Sequence, residues 1–179
     1  MLHEAISEIS GQEIPEVNDT QIDLPINAFI PATWILNREE KLEAYKSATE
    51  CSNNDELTEL ATDWVNRYGN LPKPVESLIM IMRLKLLAKK CGFNKIKLKK
   101  PNILIETKLK NSTFKILKKS LASSVQNKFN FNEGDQLSII TIRGLGVTEI
   151  QNQIDQLMLW FSSFEREIKN FDKELIKRD

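Results

Sequence analysis

The chain has 179 residues, 41% hydrophobic and 28% charged, which suits one substantial packed core with or without an appendage. No window approaches the roughly 18 apolar residues that cross a bilayer, and the acidic start MLHEAISEIS lacks the basic region of a signal peptide, so a cytoplasmic setting away from membranes is expected. The zero net charge conceals blocks of sign: 14 acids against 3 bases over 1–66, 2 against 15 over 67–119, and 9 against 7 over 120–179, so a surface that meets an oppositely charged partner, or blocks that face each other, are expected.

Leu2, Ala5, Ile6 and Ile9 recur at helical spacing, and Gly11 follows; a short amphipathic helix over 1–10 is expected, too short to stand alone. Residues 12–36 hold Pro15, Pro25 and Pro31, and Ile22, Leu24 and Ile26 alternate. This stretch reads as an extended linker laid along a surface.

Asn37 with Glu40 has the spacing of a capping box, and Leu42, Tyr45 and Ala48 follow on one face. That helix should end near Cys51. Asn53 and Asn54 restart the chain, and Leu57, Leu60, Ala61, Trp64, Val65 and Tyr68 form an apolar stripe up to Gly69. A third helix should begin at about Pro74, where the missing N–H costs nothing. Its apolar residues, Val75 to Leu87, surround most of the circumference, which marks it as the central helix; Gly92 is a natural stop.

Beyond Gly92 the period becomes two. Lys95, Lys97 and Lys99 alternate with Ile96 and Leu98, and Pro101-Asn102 turns the chain into Ile103–Leu109: a hairpin with one wet, basic face. A helix over about 112–127, a third strand in QLSIITIRG and a last helix capped by Thr148 and Gln151 follow. Ile150, Ile154, Leu157, Phe161, Phe164, Ile168, Phe171 and Leu175 form a heptad-like seam, which is expected to pack internally because so short a sheet needs a cover. The expected fold class is α+β: a helical half, 37–91, followed by a small antiparallel sheet packed by helices, 93–175.

Catalytic readings fail. RGLGVTEI places Glu149 where a dinucleotide loop needs its third glycine, and there is no Walker lysine; a tight strand-to-helix turn is expected. His3 is the one histidine, no G-x-S-x-G elbow exists, and Cys51 and Cys91 stand far apart, which fits two reduced, packed thiols better than a disulfide or a zinc site. No catalytic residue, metal ligand or cofactor site is assigned. Two surfaces remain. Glu56, Glu59, Asp63 and Asn66, with Arg67 beside them, line the face opposite the Trp64 stripe: a solvated face, or an acidic stripe that docks on arginines of a partner. Lys95, Lys97, Lys99, Lys108, Lys110, Lys115, Lys118 and Lys119 form a basic set, read as solubility or as phosphate contacts. Phe114 is its one aromatic and it lacks arginine, so it has neither a stacking platform nor a base-reading fork.

Residues 66–93, with Asn66, Arg67, Tyr68, Gly69, Leu71, Pro72, Pro74, Val75, Leu78, Leu84, Lys85, Ala88, Gly92 and Phe93, together with IDLPINAFIP at 22–31, resemble the C-terminal domain of the bacterial transcription-repair coupling factor family. By this resemblance residues 1–11 correspond to the terminal helix of a preceding translocase module, 12–36 to a linker, and 37–179 to a regulatory domain. The resemblance implies a parent that is an ATP-driven double-stranded DNA translocase, with ATP and magnesium in its motor domains and none in this part. It further implies a non-catalytic, autoinhibitory module. Such a module covers the N-terminal surface that recruits the excision-repair damage-recognition ATPase until RNA polymerase is engaged. Its partners would be the other domains of the parent, and indirectly that ATPase, the polymerase and DNA. The family often has two acids at the positions of Asp63 and Asn66; here only Asp63 is one, with Glu56 and Glu59 nearby. The alternatives are a nucleic-acid-backbone contact through the lysines of 95–119, or a structural cap on the translocase.

Overall fold

The computed structural model describes residues 13–178; the helix expected at 1–10 lies outside them. The chain forms two compact units. One is helical, Pro25–Leu86; the other joins the residues up to Leu24 with those from Leu87 onward.

In the helical unit, α1 (Arg38–Glu50) starts where Asn37 Oδ1 accepts the amides of Glu39 at 2.8 Å and Glu40 at 3.1 Å, which satisfies donors a helix start leaves open. Its buried residues are Ala44 and Ala48, whereas Leu42 is 60% exposed. The expected Leu42 face is thus rotated. Tyr45 supplies the reason: its hydroxyl accepts the Ile30 amide at 2.7 Å, which turns the face about Ala44, Tyr45 and Ala48 inward and leaves Leu42 about 120° away from Ala48.

The second helix, α2 (Asn54–Tyr68), is capped by Asn53, whose side chain accepts from Glu56 N at 2.9 Å. Leu57 and Trp64 are buried, Leu60, Ala61 and Tyr68 flank them, and Val65 sits at the edge, 38% exposed. The helix stops at Gly69, whose N–H donates to Val65 O at 2.9 Å. Gly69 has φ 89° and ψ −170°, not the left-handed helical pair that helix-ending glycines usually adopt; this region is essentially reserved for glycine.

The third helix, α3 (Lys73–Lys90), starts one residue before Pro74. Pro72 O accepts the amides of Val75 and Glu76 at 2.9 and 3.0 Å, and Pro74 falls in the first turn, where no N–H is needed. The core joins Ile30, Ile35, Ala44, Ala48, Trp64, Val75, Leu78 and Ile79. Arg83 donates to Thr58 Oγ1 at 3.1 Å and to the Asn54 side chain, tying α3 to the first turns of α2.

The sheet unit holds five strands: β1 (Gln21–Asp23), β2 (Phe93–Lys99), β3 (Asn102–Thr107), β4 (Phe129–Asn132) and β5 (Ser138–Ile142), in the order β1-β2-β3-β5-β4. The expected hairpin is β2–β3, turning through Lys100 and Pro101. The sheet is mixed, however, and not wholly antiparallel: β1 lies parallel to β2, with Gln21 opposite Lys95. Parallel neighbours need a long crossover, and here the crossover is the whole run from Pro25 through α3. The extended linker therefore contributes a strand. FNFN at 129–132 was not expected as a strand; its alternation puts Phe129 and Phe131 on the inner face.

The inner face, with Ile96, Ile103, Ile105, Ile140 and Ile142, is covered by α4 (Asn111–Lys118) and α6 (Ile150–Arg178). Phe114 of α4 packs against Phe129 at 6.0 Å and Phe164 at 6.1 Å, and Phe93 meets Phe161 at 5.0 Å between ring centroids. Ile154, Leu157, Phe161, Phe164, Phe171 and Leu175 of the seam are buried, so the seam packs internally. The single helix expected over 112–127 is instead α4 followed by a short α5 (Ser123–Gln126). The break is satisfied locally: Ser120 Oγ donates to Leu117 O at 2.7 Å and Gln126 Nε2 to Leu121 O at 2.7 Å, side-chain bonds that replace the helical ladder. The Gly144–Gly146 segment is the expected turn, a single 3₁₀ turn over Leu145–Val147 held by Gly146 N to Pro101 O at 2.9 Å.

Candidate functional site

The outward face of α2 carries Glu56, Glu59, Asp63, Asn66 and Arg67, all exposed. They are not equivalent. Glu56 is bent back to the start of its helix. Its carboxylate accepts Ser52 N at 2.6 Å and Ser52 Oγ at 3.1 Å, while its own amide is held by Asn53. This is the reciprocal arrangement of a capping box, shifted by one residue. Glu56 is thus a cap first, a role that the Asn53-x-x-Glu56 spacing already carried. Asp63 is paired with Arg67, Oδ2 to Nη1 3.3 Å, with both about half exposed. The Arg67 guanidinium also lies over the Tyr68 ring at 5.1 Å, and its hydrogen bond to Asp63 holds its proton more firmly. Glu59, between them, makes no ion pair among the described residues.

The bend between α2 and α3, residues 69–72, positions this face. Tyr68 rests edge-on against Trp34 at 5.4 Å, and Trp34 against Trp64 at 6.1 Å. Its hydroxyl donates to Glu40 Oε2 at 3.3 Å, and burial pushes its pKa upward. Leu71 packs against the core cluster and Pro72 accepts the first amides of α3. The sequence marks Glu40 only as the capping-box partner of Asn37 and assigns Trp34 no role. Gly92 lies in the other unit, where Thr107 Oγ1 donates to its carbonyl at 2.6 Å.

The lysines divide. Lys95, Lys97 and Lys99 lie on the outer sheet face, opposite in sense to Ile96. Lys95 is directly opposite Glu106, Lys97 Nζ reaches Glu106 Oε1 at 3.2 Å, and Asp23 of β1 stands opposite Lys97. That face is largely compensated. Lys115 and Lys118 belong to α4, which covers the inner face, and Lys119 caps its end, so the eight residues do not form one surface. Lys108 and Lys110 line a cleft of about 380 Å³ with Glu133 and Asp135.

Among the described residues no three His, Cys, Asp or Glu side chains stand together as a metal site would require, and no helix is long and apolar enough to cross a membrane. Cys51 and Cys91 are free thiols, the latter buried. Burial pushes the Cys91 thiol far up, which leaves it unreactive.

The family model of the TRCF domain matches residues 24–117. The chain belongs to the TRCF-domain family. The match starts three residues after β1 begins and takes in the candidate face, the bend and the β2–β3 hairpin. The chain is similar to the transcription-repair-coupling factor of Bacillus subtilis, 36% identical over 90 residues, which make up 50% of this chain and 8% of that protein. It is similar to that of Borreliella burgdorferi, 30% identical over 111 residues, or 62% of this chain and 10% of that protein. The region shared with these relatives is thus a small part of their length. The fold is that of a solved C-terminal domain of transcription-repair coupling factor: TM-score 0.67 at 19% identity, over 85% of this chain and 95% of that one.

Proposed function

We propose that this TRCF-family chain is a non-catalytic docking module of a transcription-repair coupling factor, acting in transcription-coupled DNA repair in the cytoplasm. In this reading it masks the surface of the parent protein that recruits the excision-repair damage-recognition ATPase, and RNA polymerase engagement unmasks it. ATP and magnesium belong to the motor of the parent, which moves on DNA. The observation that carries the reading is the α2 face. Among the described residues Glu59 is exposed without an ion-pair partner, Asp63 and Arg67 offer an ion pair that can exchange partners, and Asn66 adds a neutral polar group. Exposed pairs of this kind contribute at most about 1 kcal/mol each, which suits a contact that must open.

The test is capture of the repair ATPase by the full-length factor carrying Glu59→Lys and Asp63→Lys. Capture several-fold stronger than with the unsubstituted factor is expected. Unchanged capture, with the variant folded, sinks the masking role of this face.

A further inference from the structure

From residue 107 to residue 132 the chain has no acid and six lysines. Two of them, Lys108 and Lys110, line a cleft together with Glu133 and Asp135. The other four are different. On α4, Thr113, Phe114 and Leu117 point inward, which leaves Ser112, Lys115 and Lys119 as one outward stripe with Lys118 at its side. Lys115 and Lys119 are one turn apart, about 6 Å along the axis. The chain then runs through Ser123 and Ser124 to Lys128. The strand that follows is fixed against α4 by the Phe114–Phe129 contact at 6.0 Å. Arg143 extends the β4–β5 pairing at Lys128: its amide donates to Lys128 O at 2.8 Å and its guanidinium to Asn127 O. Among the described residues none of Lys115, Lys118, Lys119, Lys128 and Arg143 forms a salt bridge, whereas Lys97 on the outer sheet face does.

We propose that the outward surface at the end of α4, with Lys115, Lys118 and Lys119, holds the phosphate backbone of a double-stranded nucleic acid. A protein partner fits it poorly. Interface cores favour aromatic, Met and Arg side chains and are depleted in lysine, and the large exposed apolar residues of this unit, Leu137, Val147, Leu159 and Ile176, all fall outside 107–132. A single strand fits poorly as well: Phe114 and Phe129 are buried in the core, so no platform is offered on which bases could stack. Lysines interleaved with serine hydroxyls are donors of the kind that grip phosphate without reading sequence.

The test uses the full 179-residue chain and a short mixed-sequence DNA duplex, with binding followed by fluorescence anisotropy across a salt series. Binding at low salt, weakening steeply with salt and indifferent to sequence, is expected. Lys115→Gln with Lys119→Gln should lower affinity roughly tenfold and flatten the plot of log affinity against log salt by about 2, near one per phosphate contact. Lys128→Gln, like Lys95→Gln with Lys99→Gln, should change neither quantity. The proposal is overturned by absence of duplex binding at low salt, by α4 variants that fold and bind as the unsubstituted chain does, or by tighter binding to a single strand of the same sequence than to the duplex. This inference is independent of the masking role of α2.

Discussion

Trp34 lies edge-on to Tyr68, with ring centroids 5.4 Å apart, so the turn before α1 is clamped to the last turn of α2. The same indole meets Trp64 at 6.1 Å, and edge-to-face pairs add roughly 0.5–1.5 kcal/mol each beyond area burial. Trp34→Ala should therefore destabilise the chain by about 2–4 kcal/mol, the lower end reflecting a side chain that is only partly buried. Urea unfolding measures it; a loss below 1 kcal/mol would mean that the clamp is ornamental.

Glu56 and Glu59 separate stability from docking. Glu56→Ala removes the acceptor of the Ser52 amide and should cost about 0.5–2 kcal/mol, the range for helix caps. Glu59→Ala should stay within about 0.5 kcal/mol of the unsubstituted chain, as exposed positions do, while altering capture of the repair ATPase. Thermal melts of the two variants side by side decide; equal destabilisation would count against the division.

Gly69 and Gly92 are both held at positive φ, 89° and 80°, but for different neighbours. A Cβ on Gly69 would meet nothing within 4 Å, whereas one on Gly92 would lie 3.0 Å from Pro15 Cδ. Gly69→Ala should cost about 1–3 kcal/mol of backbone strain alone. Gly92→Ala should add a contact penalty that Pro15→Ala partly relieves, giving a coupling of roughly 0.5 kcal/mol or more in a double-mutant cycle. Strict additivity would show that Pro15 yields freely.

Glu165 joins Lys90 of α3 at 3.2 Å and Lys169 of its own helix at 3.0 Å. Burial raises its pKa, but the hydrogen bonds from Lys169 and Lys90 outweigh it and hold the carboxyl below its usual range. The lowered folded value means that the stabilisation is present above the unfolded carboxylate pKa of about 4.3 and is lost as pH falls through the folded one. Glu165→Gln should melt lower than the unsubstituted chain at neutral pH, by up to about 1 kcal/mol, and the gap should close in acid. A gap that persists below the carboxylate range would assign the effect to packing.

What could be read from the sequence follows the range of the interactions concerned. Caps act over three residues, so Asn37, Asn53 and Gly69 marked the ends of α1 and α2 correctly, and the seam of α6 repeats often enough to announce its buried face. The α+β class followed from the change of period after Gly92. The parallel partner of β2 lies across the whole helical unit, and nothing local to Gln21–Asp23 could reveal it. FNFN is too short for its alternation to stand out. The division of the lysines was within reach. With Lys99 opposite Asn102 across the Pro101 turn, counting back along the hairpin brings Lys95 to Glu106, and the basic face is seen to be compensated. The rotation of α1 was not within reach, because it depends on the Tyr45 hydroxyl finding an amide of the preceding segment.

The parallel pairing of β1 with β2 also bears on where this chain can be cut. The recognisable family region runs over 24–117, and those limits fall just past β1 and inside α4. A fragment trimmed to them would expose the free edge of β2, strip β5 and β4 from β3, and leave Ile103, Ile105 and Phe114 without the rings of α6 above them. An unpaired edge beside an uncovered apolar face is a template for aggregation. The span that relatives share most legibly and the span that can fold by itself are different lengths of chain, and the second needs residues on both sides of the first.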